Sequence, residues 1–225
     1  MKNSQGGFTL VEIAIVLVII GLLLGGVLKG QELITQAKIR NVANDLNGMS
    51  AAVYGYQDRY RKFPGDDNDA KGRWPTTEPG DGNGAVGATG VTAVIDCSDS
   101  GSSGSGSSGS GSSGSGNAKL ENCLFWQHLR LSGFVGGDSG SVLSPQNAGG
   151  GILHVQNGAL GLAGLTICST NLSGKIANAI DAQFDDGKPN TGLVRGTATG
   201  GLVSQPSDTA YVDDGSKVYV VCKTL

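Results

Sequence analysis

The feature that most constrains the fold of this chain is an apolar run close to its N-terminus. From Phe8 to Leu28 the sequence contains no Lys, Arg or Asp, and Glu12 is the single charged residue of the run. A helix needs about 20 apolar residues to cross the hydrocarbon core of a bilayer, so this run is long enough to span one. A carboxylate within such a helix is unfavourable unless it is paired. Glu12 is therefore a candidate functional residue.

Two simpler interpretations explain less of the run. A secretory signal peptide has an apolar region of about 7–15 residues that ends at a small-residue cleavage site, whereas this run is longer and no Ala-x-Ala follows it. A plain membrane anchor fits the length but leaves Glu12 unexplained. For orientation, Lys2 and the initial amine precede the run and Lys29 follows it, which only weakly favours a cytoplasmic N-terminus.

The start of the run reads GFTLVE, from Gly7 to Glu12, after a short polar segment with one lysine. This stretch resembles the cleavage motif of type IV prepilins and type II secretion pseudopilins. In that family the prepilin peptidase, a membrane aspartyl protease, cuts between the glycine and the phenylalanine, and the new amine is then N-methylated. The resemblance implies that residues 1–7 are a leader peptide, that Gly7 and Phe8 flank the scissile bond, and that Phe8 becomes methylated.

The same resemblance implies a role for Glu12 in assembly. In the family, the glutamate at this position faces the N-terminal amine of a neighbouring subunit. The physical argument agrees, because the Phe8 amine and the Glu12 carboxylate are each unfavourable alone in lipid and attract each other strongly in a low dielectric. We therefore expect this pair to favour side-by-side packing of staggered subunits and to set their register.

A helical pattern continues beyond the apolar run. Phe63-Pro64-Gly65 predicts its end, because the residue before a proline disfavours the helical conformation. We predict one helix over residues 8–63, with residues 8–28 spanning the membrane or forming the core of a filament. The apolar stripe beyond residue 38 covers too few heptads for a coiled coil, so we expect it to dock onto a sheet. Its residues recur at alternating spacings of three and four, namely Ile39, Val42, Leu46, Met49, Val53, Tyr56 and Tyr60.

The remaining residues, 64–225, predict a globular head of the α+β class. The resemblance implies a pilin-like fold, in which the second half of a long N-terminal helix packs on a small antiparallel β-sheet. The apolar patterns add two short helices, one at residues 120–131 and one that starts at Asn171-Leu172-Ser173, with Ser173 as N-cap. Strands are predicted at residues 91–95, 151–155, 160–168, 193–195 and 217–222. Their order stays open.

One stretch of the head is excluded from this interpretation. Residues 101–116 read GSSGSGSSGSGSSGSG. They offer no side chain that forms a core, so we interpret them as a flexible low-complexity linker, natural or engineered.

The cysteines predict disulfides. The four cysteines form no CxxC pair, and neither histidine has ligand-like spacing to them, which argues against a zinc site. An even number of cysteines in a membrane-targeted chain fits two disulfides in an oxidising compartment. Three pairings are possible, and we expect Cys97–Cys123 and Cys168–Cys222.

Three aspartates are weak calcium candidates, namely Asp66, Asp67 and Asp69. Carboxylate oxygens suit Ca²⁺, but a calcium loop that starts at Asp67 places Lys71 where a ligand is needed. Aspartates in such stretches more often stabilise turns through solvated side chains. We therefore predict no metal and no cofactor, and keep calcium at these residues as the less favoured alternative.

Composition and motifs also argue against nucleic-acid binding and catalysis. The net charge is −3 and no basic stripe is present, whereas phosphate binding needs one. The stretch Gly137-Asp138-Ser139-Gly140 resembles the nucleophile region of trypsin-like proteases, but the histidine and aspartate partners are missing. We predict no catalytic residue.

The sequence thus predicts a structural subunit of a type IV pilus or pilus-like filament. Its precursor would span the inner membrane once, surrounded by lipid, with a periplasmic head, and the assembled filament would be extracellular or periplasmic. Expected partners are other copies of the chain, prepilin peptidase and the inner-membrane assembly platform. One alternative is a pseudopilin of a type II secretion system, and another is a membrane-anchored periplasmic binding or adhesion protein that never polymerises.

Overall fold

The computed structural model describes residues 9–87, 97, 118–198, 203–207 and 209–225. The chain divides into two units, residues 1–38 and residues 39–225, and each is described by itself. Several predicted features lie outside the described residues, namely the Gly7–Phe8 bond, the strand at residues 91–95 and the linker at residues 101–116.

The first helix, α1, extends from Leu10 to Tyr60, close to the predicted range of 8–63. Its residues up to Lys38 belong to the first unit, and its remaining residues belong to the second. The helix ends where Arg61 takes a φ of 57° and donates its N–H to the carbonyl of Gln57 at 2.8 Å. A residue in this left-handed conformation commonly terminates a helix by satisfying one of its last carbonyls.

The second unit is built around a four-stranded sheet, and it confirms the α+β class. All neighbouring strands are antiparallel, in the order β1-β2-β4-β3. The strands are β1 (Leu153–Asn157), β2 (Leu165–Ser173), β3 (Val194–Thr197) and β4 (Val218–Thr224). The short helices are α2 (Ala70–Arg73), α3 (Ala118–Leu131) and α4 (Gly174–Phe184).

The larger apolar core joins α1 to one face of this sheet. Val42, Leu46, Val53 and Tyr56 of the predicted stripe are buried in it, and the other stripe residues are half-buried against it. The sheet and α3 contribute Val155, Ile167, Val221, Phe125, Trp126 and Leu129. The prediction that the stripe docks onto a sheet is therefore confirmed for residues 39–60.

A smaller core covers the opposite face of the sheet. Successive side chains of a strand point to opposite faces, so Ile167 enters the larger core and Cys168 enters the smaller one. Cys222 of β4 lies opposite Cys168 in the register, and loop residues such as Leu160 and Val203 cover the pair. Both faces of the central strands are thus buried.

The structure corrects the predicted strand at residues 160–168. Leu160, Gly161 and Gly164 take φ values of 51°, 72° and 79°, so the chain turns there and β2 begins only at Leu165. Two glycines in the left-handed region favour such a turn, because they have no side chain to oppose it.

The predicted helix start at residues 171–173 also belongs to β2. Leu172 and Ser173 pair with Tyr219 and Val218 of β4, after a register shift that follows Ser169. Pairing with a strand almost 50 residues away overrides the local preference for a helix start. The helix begins at the next residue, Gly174, with Ser173 at the predicted N-cap position but without a side-chain hydrogen bond.

Two cysteine pairs lie at disulfide distance, in the pairing that was expected. Cys97 is joined to Cys123 of α3, and Cys168 of β2 is joined to Cys222 of β4. The paired residues are 26 and 54 positions apart in the chain. The first bond ties residue 97 to a helix, and the second crosslinks two neighbouring strands.

Candidate functional site

The apolar segment of α1 in the first unit is exposed along its whole length. Its large hydrophobic side chains from Leu10 to Leu28 are between 46% and 87% exposed. A window of 18 residues has a mean hydropathy of 2.8, and none of it is buried. By length and composition the helix can therefore cross a membrane, a test that N-terminal signal sequences also pass. Apolar surface on this scale favours lipid or other helices over water.

Glu12 lies on this surface and is hydrogen-bonded to the start of its own helix. Thr9 donates its backbone N–H and its hydroxyl to Oε2 of Glu12, at 2.9 and 2.8 Å. The N–H of Glu12 in turn donates to Oγ1 of Thr9 at 3.3 Å. This reciprocal arrangement is a capping box, which satisfies amides that would otherwise lack a partner at a helix start. In the single chain the carboxylate therefore has a local structural role.

Four glycines lie in or next to the apolar segment, at positions 21, 25, 26 and 30. A Cβ atom at any of them would meet no other atom within 4 Å, so packing within the chain does not require glycine there. Each lowers the helix propensity by about 1 kcal/mol relative to alanine. Small residues in an apolar helix allow neighbouring helices to approach closely. The glycines thus fit a helix that packs against other helices.

Comparison with known families identifies the N-terminal segment. Residues 2–28 match the prokaryotic N-terminal methylation motif. The chain carries a prepilin-type N-terminus. This motif is the hallmark of type IV pilins and pseudopilins, and it implies processing by prepilin peptidase. Together with the apolar helix, the prepilin motif fits a membrane-anchored precursor. Comparisons with curated proteins and with solved structures found no match.

Of the three positions in the motif for which the sequence predicts a function, the structure describes one. Glu12 lies in the first turn of α1, whereas Gly7 and Phe8 lie outside the described residues. Sequence reasoning missed the role of Thr9, although Thr-x-x-Glu before an apolar run is a recognisable capping signature.

In the head, the structure does not bring the three calcium candidates together as a ligand set. Asp67 is buried, accepts a hydrogen bond from the Tyr56 hydroxyl at 2.6 Å and forms an ion pair with Arg73. Burial alone would raise the pKa of Asp67, but the hydrogen bonds from Tyr56 and Arg73 lower it below its ordinary value. Asp69 is exposed at the N-cap position of α2. Asp66 lies in a different group of carboxylates.

That group, named here the acidic cluster, consists of Asp66, Asp81 and Glu121. One carboxylate oxygen of each lies within 4.8 Å of the others. Asp66 is 3% exposed and Glu121 is fully buried, whereas Asp81 is exposed. Sequence reasoning missed Asp81 and Glu121, because the loop that holds Asp81 (residues 61–87, which include α2) meets α3 only in the folded head.

Backbone amides of the loop hold two members of the acidic cluster. Asp81 and Gly87 donate their N–H groups to the two oxygens of Glu121, both at 2.9 Å, and Gly84 donates to Oδ2 of Asp66 at 3.0 Å. Burial raises the pKa of Asp66 and of Glu121, these amide donors lower it, and the neighbouring carboxylates raise it again, leaving both above their ordinary values. The loop is thus fixed to α3 through the carboxyl oxygens of Glu121.

His128 of α3 is buried beside this loop and is held as one tautomer. The N–H of Gly65 donates to Nδ1 at 3.0 Å, so Nε2 carries the proton and donates to the carbonyl of Glu78 at 3.1 Å. Burial is the main cause that lowers the pKa of His128; the hydrogen bond to the Glu78 carbonyl and the charge of Asp67 oppose this shift, and Arg73 adds to it. His128 therefore serves as a neutral structural connector between the loop and α3.

We expect the free energy of unfolding to decrease as the pH falls below about 6.5, the ordinary histidine pKa. His128 of the unfolded chain takes up a proton near pH 6.5, whereas His128 of the folded chain does so only at lower pH. The contribution of neutral His128 to the free energy of unfolding is therefore complete above pH 6.5 and is lost as the pH falls towards the lowered pKa. Urea unfolding of the full chain in detergent, followed by tryptophan fluorescence, measures this loss. His128→Gln, which cannot titrate, should show a smaller loss. Parallel pH profiles for both proteins would contradict the assignment.

Proposed function

We propose that this chain is the structural subunit of a type IV pilus or pilus-like filament and acts without catalysis. The observation that carries the proposal is the prepilin motif at residues 2–28, which includes an apolar helical segment with an uncovered surface. Such a surface requires lipid or other helices around it. The membrane-bound precursor uses lipid, and the assembled filament uses other copies of the same helix.

The proposed route starts in the inner membrane, with residues 1–7 in the cytoplasm and the head in the periplasm. Prepilin peptidase cuts between Gly7 and Phe8, and the new amine of Phe8 is methylated. The inner-membrane assembly platform then moves the subunit from lipid into a helical bundle. Residues 8–28 form the core of this bundle, and the heads form the outer surface of the extracellular or periplasmic filament.

Glu12 sets the register of the bundle in this proposal. The capping box keeps the carboxylate hydrogen-bonded in a single chain, and the Phe8 amine of a neighbouring copy supplies the opposite charge. In a low dielectric an unpaired charge is strongly disfavoured, so a subunit that is shifted along the axis loses this stabilisation. The four glycines allow the helices to approach closely enough for the pair to form.

A pseudopilin of a type II secretion system has the same architecture, and the prepilin motif is common to both classes. We favour the pilus subunit and keep the pseudopilin as the alternative. Both use the same cleavage, the same helix and the same carboxylate, so the experiments on assembly apply to either.

The mature N-terminus tests the first step of this proposal. We expect the chain recovered from native membranes to begin at methylated Phe8, and intact-mass measurement together with N-terminal sequencing detects both the loss of residues 1–7 and the added methyl group. Replacing Gly7 with a bulky residue, as in Gly7→Val, should leave the full leader in place, because the scissile bond no longer fits the peptidase. Another prepilin from the same cells serves as the processing control.

A chain that still starts at Met1, in cells that process their other prepilins, would contradict the proposal. It would leave the apolar helix as a plain anchor of a periplasmic binding or adhesion protein.

A further inference from the structure

The acidic cluster brings three carboxylates together. None of the ion pairs in the part of the chain that the structure describes involves Asp66, Asp81 or Glu121. The basic residues of the same loop are engaged elsewhere, since Arg73 pairs with Asp67 and Lys71 pairs with Glu78. Carboxylates that share one site repel each other unless a proton or a cation lies between them.

One oxygen of the acidic cluster has no partner. Oδ1 of Asp66 is buried and lacks any hydrogen bond, while Oδ2 of the same side chain accepts the N–H of Gly84. Asp66 as a whole is 3% exposed. A buried polar atom without a partner is unfavourable, and more so if it is charged. The side chain that carries this oxygen lies against Asp81 and Glu121, so a ligand bound by the three carboxylates would satisfy it.

The loop that presents these carboxylates is tightly fitted. A Cβ on Gly80 would clash with the backbone of Gly65 and Asp66, and a Cβ on Gly87, which has a φ of 77°, would clash with the side chain of Asn122. Glycine is therefore required at position 80 for close packing against residues 65–66, and at position 87 for the close approach to α3. The carboxylates are positioned by the fold before any ligand arrives.

We propose that Asp66, Asp81 and Glu121 bind one hard divalent cation, with Ca²⁺ preferred over Mg²⁺. The ligand set is all oxygen, which such cations favour, and it contains no histidine nitrogen or cysteine sulfur. Asp81 is exposed, so the cation can enter from solvent and keep water as further ligands. Ca²⁺ accepts a variable number of oxygens in flexible geometry, whereas Mg²⁺ demands a near-ideal octahedron that three fixed carboxylates do not readily supply. The cation would lock the loop onto α3.

Calcium titration of the full chain in detergent, after removal of metal with a chelator, tests this site. We expect one Ca²⁺ per chain by isothermal titration calorimetry, weaker binding of Mg²⁺, and a rise in the unfolding temperature on addition of CaCl₂. Asp81→Asn should weaken Ca²⁺ binding about tenfold or more, because it removes one of three ligand charges. This exposed position is chosen because substitution of the buried Asp66 or Glu121 could prevent folding.

Asp69→Asn is the matched control, since Asp69 is an exposed carboxylate in the same loop but outside the acidic cluster. It should bind Ca²⁺ with unchanged affinity. Three results would each overturn the proposed ligand set. The first is no calcium binding at millimolar concentrations. The others are an unchanged calcium affinity in Asp81→Asn, or a loss of affinity in Asp69→Asn as large as that in Asp81→Asn. Tighter binding of Mg²⁺ would overturn the stated preference. The measurement uses unassembled chains, so its outcome is independent of the proposed filament.

Discussion

Glu12→Gln is expected to leave insertion and cleavage of the precursor intact but to reduce the yield of filaments at least about a hundredfold. Leaving one partner of a buried ion pair alone is unfavourable by about 3–5 kcal/mol, and this applies to each added subunit. Glutamine can replace glutamate in a capping box, so the hydrogen bonds that Thr9 makes with this side chain can be kept. The substitution therefore removes the charge and preserves the helix start.

Thr9→Ala is the complementary variant. It removes the hydroxyl of the capping box, which contributes about 0.5–2 kcal/mol to the helix start, but it keeps the Glu12 carboxylate. We expect this variant to assemble. A second control, Glu32→Gln, removes a charge from the same helix beyond the apolar run, where Glu32 pairs with Lys29 at 3.0 Å, and it should also assemble.

The measurement is the amount of chain in sheared filaments relative to the total chain in the cells, with intact mass to establish cleavage. Normal filament yield from Glu12→Gln would show that the charge does not set the register. If Thr9→Ala did not assemble while Glu12→Gln assembled normally, the helix cap and not the charge would be the feature needed for assembly. Loss of cleavage in Glu12→Gln would place its effect before assembly.

Removal of the Cys168–Cys222 crosslink is expected to lower the free energy of unfolding of the head by about 4 kcal/mol. The estimate follows from the chain-entropy cost of closing a loop of this length in the unfolded state, and the two residues are 54 positions apart. Typical domains are stable by about 5–15 kcal/mol, so this one bond accounts for a large share. Both side chains are fully buried in the smaller core, so alanine at both positions is the least disruptive replacement.

The second disulfide provides the internal comparison. Alanine at both Cys97 and Cys123 opens a shorter loop of 26 residues and should cost about 3.5 kcal/mol. Denaturant unfolding of each double variant and of the unmodified chain, in the same detergent, gives the three free energies. Unchanged stability without the Cys168–Cys222 bond, or a clearly larger loss from the Cys97–Cys123 variant, would contradict the entropic account.

Local periodicity was sufficient to predict α1 but not the strands of the sheet. The spacing from Ile39 to Tyr60 encodes one helical face, and every residue of that stripe is buried or half-buried. Residues 160–173 were misassigned because their conformation depends on distant partners. The chain turns at Gly161 and Gly164, and β2 extends to Ser173 only because β4 lies beside it.

Glu12 and the acidic cluster also differ in how far the local sequence predicts them. Glu12 lies within a contiguous motif, so six adjacent residues are enough to predict its role, and the capping signature in the same stretch is the signal that could have indicated Thr9. The acidic cluster has no such signature, because 40 positions separate Asp81 from Glu121. The sequence analysis includes Asp66 among its candidates, but of the two neighbours grouped with it, Asp67 bonds to Tyr56 and Asp69 lies at the N-cap position of α2.

The hydrogen bond from Gly87 to Glu121 joins two positions that are 34 residues apart in the chain. The sequence between them includes Cys97, which is joined to Cys123 of α3, and the Gly/Ser stretch at residues 101–116. The entropy of closing a flexible loop grows by only about 0.6 kcal/mol for each doubling of its length. Epitopes or fluorescent tags inserted in that stretch are therefore expected to lower the free energy of unfolding very little, so this stretch is a suitable attachment point for labels.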